Sequence, residues 1–366
     1  VDETTFRILD LLASNLANLM SIRELTKQIK ARYQKADYKN IYMKTQQLFQ
    51  QGFILLAKNG QANAAQLNFE NPLLFDQLSE MERKKKIDFF QKKPFFQEFL
   101  REINQFSANR RRSFLEWILI AKPKKNAGLN KISLLFFLST PQRENNDALQ
   151  FEAETNAIYA RMKILENRLN MKIDYLILDE SRFEEILFTD EKNILGEMFY
   201  DKIILDNPIN FWRQIANTLA KKPVKIQLEE FDPGKITEQQ LAYNLYRFGY
   251  QEIGPKIESK NLLSIELTIA VLLFKKNARR IEAIPILLEK AFQKPASRKP
   301  NYDILFFLAK KYEEAPQLMA LLEAYQTIKP RAETQKILET MKKLGIKPKK
   351  TSIKTIKEKM RQYHAI

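Results

Sequence analysis

The chain contains no cysteine, which excludes disulfides, thiolate metal sites and cysteine nucleophiles. Its single histidine, His364, lies at the C-terminal end. One terminal imidazole assembles neither a Ser-His-Asp triad nor a histidine-based metal site. Only eight glycines occur, none of them grouped. Phosphate-cradling loops need glycine so that backbone N–H groups can approach the ligand, so no such loop is expected. No apolar stretch reaches the ~20 residues needed to span a bilayer. Residues 132–138 are too few, and residues 262–274 are interrupted by Ser264 and Glu266. Residues 1–5 lack the basic-then-apolar layout of a secretion signal, so cytoplasm is the expected compartment. Catalysis, if present, would have to run on carboxylates and bound metal ions.

What is present in excess is positive charge. Sixty-one Lys and Arg stand against 44 Asp and Glu, giving a formal charge of +17 and a pI near 9.6. Such a balance attracts polyanions, nucleic acid first and an acidic membrane or protein surface second; a merely solvated basic surface is the plain alternative. With 366 residues, 45% of them hydrophobic, the chain can fill two or three cores.

Residues 5–13 carry apolar side chains at helical spacing (Phe6, Leu9 and Ala13, with Ile8 and Leu12 beside them). Ser21-Ile22-Arg23-Glu24 predicts a capping box that opens a second helix over 22–32, burying Ile22, Leu25 and Ile29. A third helix over 38–50 turns Ile41, Thr45 and Leu48 inward, and Gly52 supplies its left-handed stop. A strand over 53–58, the hairpin signal Asn59-Gly60 and a return strand near 66–69 follow.

This order of three helices and a hairpin resembles the winged helix-turn-helix family. The resemblance implies that the third helix enters the major groove of DNA. Tyr38, Lys39, Tyr42 and Lys44 would then face outward with Asn40 near the helix start, and Lys58 on the wing would meet the phosphate backbone. The same module used for protein contacts, with these residues as solvated surface, is the alternative.

Residues 71–109 predict helices broken near Pro94, with a basic run Arg83-Lys84-Lys85-Lys86. Arg110-Arg111-Arg112 follows, either as a phosphate anchor or as an exposed basic linker. Then the period changes. Strands are predicted over 114–121, 132–139, 171–178 and 202–205, alternating with helices over 148–169, from Ser181, over 191–199 and over 211–220, which defines an α/β domain. The element order, and the segment EKNILGEMFYDKIILDNPINFWRQI, look like the minimal nucleotidyltransferases of archaea and bacteria. That resemblance implies a Gly-Ser step after the first strand and metal-binding aspartates on the second. Ala121-Lys122 stands in place of the first, and Lys131 and Ser133 in place of the second. Asp174 alone remains as a third carboxylate. A lysine at a ligand position repels a metal ion. The region is therefore expected to be a catalytically inactive nucleotidyltransferase-like domain that uses no cofactor. Lys122, Lys124, Lys125 and Lys131 either hold phosphate without metal or form a solvated loop. The acidic Asp179-Glu180 and Glu184-Glu185 are explained by a helix start, where the macrodipole favours them.

Residues 223–237 predict a linker turning at Asp232-Pro233-Gly234. Helices follow over 238–248, 262–276, 279–292, 302–312, 315–327, 332–344 and 352–363. Two stretches echo each other: Lys275 to Lys310 spans 35 residues and Glu289 to Glu323 spans 34. Such spacing suggests stacked helix pairs, with an irregular bundle as the alternative. From Lys342 to Arg361 nine basic residues face one acidic, Glu358, and Ile353, Ile356 and Met360 form an apolar stripe. Nucleic acid or an acidic membrane surface would suit such a helix; the stripe lacks Trp and Phe, which disfavours the membrane.

The sequence thus predicts an α/β multidomain protein: a winged helix (1–70), a helical connector (71–113), a nucleotidyltransferase-like α/β domain (114–222) and an all-α domain with a basic tail (223–366). The expected function is nucleic-acid binding, with DNA favoured over RNA, most simply as a DNA-binding regulator. The helical domain is left for a protein partner or a homodimer. A residual metal-dependent nucleotidyltransferase using Asp174, and an antitoxin-like or ribosome-associated interaction protein, are the alternatives.

Overall fold

The computed structural model describes residues 2–16, 18–59, 62–92, 96–108, 114–121, 131–140, 145–222, 228–251, 258–293 and 299–365. These residues form a mixed α/β chain with two compact units, Val1–Asp190 with Leu195–Glu229, and Glu191–Ile194 with Glu230–Ile366. No described helix is long and apolar enough to cross a membrane.

The first unit opens with α1 (Glu3–Ala13), β1 (Met20–Ser21), α2 (Ile22–Tyr33), α3 (Tyr38–Gln50), β2 (Ile54–Asn59) and β3 (Ala62–Leu67). The predicted inward residues of α2 and α3 are the ones buried. Half of the predicted capping box forms: Ser21 Oγ accepts from the Glu24 amide at 3.2 Å, but the Glu24 carboxylate accepts from Gln28 Nε2 instead. Gly52 takes φ +75°, and the Phe53 amide closes back onto the Leu48 carbonyl, ending α3. The return strand starts four residues before its predicted place. Its sequence, ANAAQL, carries none of the β-branched or aromatic residues that mark strands. It is the central strand of the sheet β1-β3-β2, and Ala64 and Ala65 are fully buried there.

Next come α4 (Leu73–Gln91), α5 (Phe96–Ala108), β4 (Leu115–Ala121), β5 (Lys131–Leu138), α6 (Asn145–Leu169), β6 (Lys172–Asp179), α7 (Glu180–Leu187), α8 (Ile194–Tyr200), β7 (Lys202–Asp206) and α9 (Pro208–Lys221). The sheet order is β6-β5-β4-β7, with β5 and β6 parallel and the other pairs antiparallel. Apolar residues point to both faces because both are covered. On one side Ile118, Ile120, Leu134, Phe136, Ile173 and Ile203 pack with Phe99, Ile103, Ile158 and Met162 of α5 and α6. On the other, Trp117 stacks on Phe137 with ring centroids 4.7 Å apart and meets Phe183 of α7 and Phe211 of α9 edge-on. α4 and α5, expected as a connector, pack onto this layer: α4 against β7 and α9, and α5 against β7.

The second unit holds a 3₁₀ turn at Pro233–Lys235 and helices α10 (Glu238–Arg247), α11 (Ile265–Lys275), α12 (Ala278–Ile281), α13 (Ile284–Phe292), α14 (Tyr302–Lys311), α15 (Ala315–Ile328), α16 (Ala332–Lys343) and α17 (Ile353–Gln362). The single helix predicted over 279–292 is two, because Pro285 sits in the first turn of α13 and cannot continue a preceding helix. α11 packs on α14 and α14 on α16, while α13 packs on α15 and α15 on α17, giving two layers of stacked helix pairs. Buried Glu289 of α13 accepts from both Arg331, just before α16 (2.8 and 3.0 Å), and the Tyr325 hydroxyl of α15 (2.6 Å). Ile356 and Met360 are fully buried, so most of the apolar stripe of α17 is spent on this unit's own core; Ile353 alone is exposed.

Candidate nucleic-acid interface

α3 starts at Asp37, whose carboxylate accepts from the Asn40 amide at 2.8 Å. With Ile41, Thr45 and Leu48 held inward, the helical repeat turns Lys39, Met43, Gln46 and Gln50 outward. Lys39, Met43 and Gln50 are exposed, as are Tyr38 and Tyr42, whose rings stack with centroids 6.2 Å apart. Asn40 and Lys44 lie on the flank beside α1. Asn40 Nδ2 donates to Thr4 Oγ1 at 3.4 Å, and Lys44 Nζ is 3.1 Å from Asp2 Oδ2. Of the predicted contact residues, Tyr38, Lys39 and Tyr42 are thus presented to solvent, and Asn40 and Lys44 also tie α3 to α1. Lys58 is exposed on β2, opposite exposed Asn63 on β3. Arg110, Arg111, Arg112, Lys122, Lys124 and Lys125 lie outside the described residues.

Met43, Gln46 and Gln50 were open to sequence reasoning, since they fall four, seven and eleven residues after Lys39. A second signal is compositional. From Tyr38 to Phe69 the chain has three lysines, no Asp and no Glu, and is rich in Asn and Gln. A helix and hairpin without carboxylates repel no phosphate, and their amides offer both donors and acceptors.

The two helices on which α3 packs, α1 and α2, are tied to α4 by a buried charge cluster. Asp10 of α1, 1% exposed, receives Lys85 of α4 at 3.0 Å, Arg32 of α2 at 3.2 Å and the Tyr33 hydroxyl at 2.5 Å. Lys85 also lies 3.3 Å from Glu82, which is itself fully buried. Burial pushes the Asp10 carboxyl up, but Lys85, Arg32 and Tyr33 more than offset this and hold it well below the usual carboxylate range. The basic run Arg83–Lys86 is therefore largely structural. Lys85 serves this cluster, Lys86 donates to the Leu205 carbonyl, and Lys84 lies over the Phe6 ring at 5.1 Å.

Three of the residues expected as a degenerate nucleotidyl-transfer site, Ala121, Ser133 and Asp174, lie in one row. Asp174 of β6 is beside Ser133 of β5, Ser133 is opposite Ala121 of β4, and Ala121 is opposite Lys202 of β7. Alternation puts all four, and Lys131, on the sheet face that carries Trp117. Asp174 is fully buried, and Lys131 Nζ stands 3.1 Å from its Oδ2. A lysine ammonium occupies the position from which this carboxylate would hold a cation. Lys202 is 2% exposed, with Nζ 4.9 Å from the centre of the Trp212 ring, and burial lowers its pKa to about 8. No group of three or more His, Cys, Asp or Glu that could hold a metal occurs among the described residues. At the start of α7, Asp179 accepts from the Arg182 amide, and Glu180 and Glu184 pair with Lys221.

Comparison with known protein families, curated proteins and solved structures gives no match. The functional reading therefore rests on this geometry.

Proposed function

We propose that the chain is a nucleic-acid-binding protein that engages its ligand through the outer face of α3 and the β2–β3 hairpin, in the manner of a winged helix. The observation that carries this is the exposed outer face of α3 and Lys58 of the hairpin, in a segment from Tyr38 to Phe69 that has no Asp or Glu of its own, set on a chain of +17 charge. Phosphates meet Lys39 and Lys58, and base edges meet the amides of Gln46 and Gln50. The α/β layer behind acts as a non-catalytic, nucleotidyltransferase-like platform: its row at Asp174 offers one carboxylate, already neutralised by Lys131, where two-metal phosphoryl transfer needs several. The buried Asp10–Lys85 cluster supports the same reading, because it joins α1, one of the helices on which α3 packs, to α4.

Fluorescence anisotropy with labelled DNA and RNA at low salt tests this directly. Wild-type protein should bind, and Lys39→Glu should weaken binding about tenfold or more while leaving the thermal unfolding temperature unchanged. Absence of binding to any nucleic acid would overturn the proposal, as would a Lys39→Glu variant that binds like wild type.

A further inference from the structure

We infer that the nucleic acid taken by α3 is an unpaired strand, with bases stacking along a row formed by Tyr38, Tyr42 and Phe49 and phosphates held by Lys39. This rests on the function proposed above and narrows it to a class of ligand.

The three rings are 47%, 39% and 44% exposed. Spacings of four and seven residues place them on one stripe of α3, about 6 Å and then about 10 Å apart along the axis. The rings of Tyr38 and Tyr42 are inclined by only 29° to each other, so their faces lie in sequence along the helix. Lys39 projects from the adjoining stripe, followed by Met43, Gln46 and Gln50. The Asp37 carboxylate at the head of the row is turned onto the Asn40 amide.

A duplex hides its base faces inside the stack and offers a protein edges and phosphates. Exposed aromatic faces gain little from it. An unpaired strand offers a π-face at every nucleotide, and stacking on aromatic side chains is how strands are held without regard to sequence. Aromatics, cations and amides, with no acidic residue from Tyr38 to Phe69, match that ligand in both shape and charge.

The test uses the full chain and three labelled probes of about 15 nucleotides and mixed sequence: single-stranded DNA, single-stranded RNA and blunt duplex DNA. At least one single strand should bind about tenfold or more tighter than the duplex. Tyr42→Ala should weaken strand binding about tenfold, whereas Tyr42→Phe should keep it, because stacking needs the ring and not the hydroxyl. A duplex bound as tightly as either strand overturns the inference and leaves nucleic-acid binding standing. So does a Tyr42→Phe variant as weak as Tyr42→Ala, which would mark a hydroxyl–phosphate contact. Binding to none of the probes, with or without self-association through this face, removes both readings. Unchanged thermal unfolding of the Tyr42 variants separates lost binding from lost folding.

Discussion

Lys85 Nζ lies 3.0 Å from Asp10 Oδ1, joining the middle of α4 to the first helix of the chain inside the protein. Neither charge has water to fall back on, so the pair is worth most when one member is removed. Asp10→Asn should cost about 3 kcal/mol in urea unfolding, since it leaves Lys85 buried without its main partner. A cost near zero would mean that water reaches the cluster.

The same pair sets an acid limit. The Asp10 carboxyl is held below its ordinary value, so the folded protein keeps it ionised where the unfolded chain has already bound a proton. Its contribution is complete above about pH 5 and is lost as the pH falls through the unfolded carboxyl's range and below. The urea midpoint of the wild type should therefore drop more steeply between about pH 5 and about pH 3 than that of Asp10→Asn. Parallel curves would contradict this.

Lys202 works in the opposite direction. Burial lowers it to about 8 against 10.5 in a free chain, so between those values the folded state has released a proton that the unfolded state retains. Stability rises with pH across that window, by at most about 3 kcal/mol. Tyr33, pushed up by burial and by Asp10, opposes the trend only once the unfolded tyrosine ionises, above about pH 10. From about pH 8 to about pH 9.5 the wild type should gain stability relative to Lys202→Met. A constant difference between the two would show that Lys202 does not titrate there.

These lysines also show where sequence reading stops. The helix faces of α2 and α3 were legible because a 3.6-residue period needs only local information, and Ile41, Thr45 and Leu48 all fall as predicted. Lys84, Lys85 and Lys86 stand in the sequence as part of one basic run, yet their partners are Phe6, Asp10 and Leu205, far away in the chain. No local pattern reports that. The strand Ala62–Leu67 was misplaced for a related reason. Its place depends on two neighbouring strands and a tight interior that alanine fits, not on its own propensity. For the candidate interface, Tyr38, Lys39 and Tyr42 were visible from periodicity, while the second task of Asn40 and Lys44 against α1 was not.

Lys131 and Asp174 should respond unequally to mutation. Lys131 is partly exposed and can turn to water, whereas Asp174 is fully buried. Lys131→Met should cost about 2 kcal/mol, less than removing a partner from a fully buried pair, and Asp174→Asn should cost less again. Urea unfolding of both variants checks the order; the reverse order would place Asp174 in contact with solvent.

The tail helix offers a check on its own burial. Met360→Ala should lower stability by about 2 to 5 kcal/mol, as expected for a core truncation. A free basic arm would show no change in thermal unfolding.

The central claim is that lysines of α3 and the hairpin neutralise phosphates. The most direct measurement is the dependence of log K on log salt for the tightest-binding nucleic acid, in wild type and in the Lys39→Gln/Lys58→Gln double variant. If about five phosphates are neutralised, the wild-type slope should be roughly −3.5 on a single strand or −4.5 on a duplex. The double variant should be flatter by about 1.4 or about 1.8 respectively. A slope near zero, or one that both proteins share, would contradict the account.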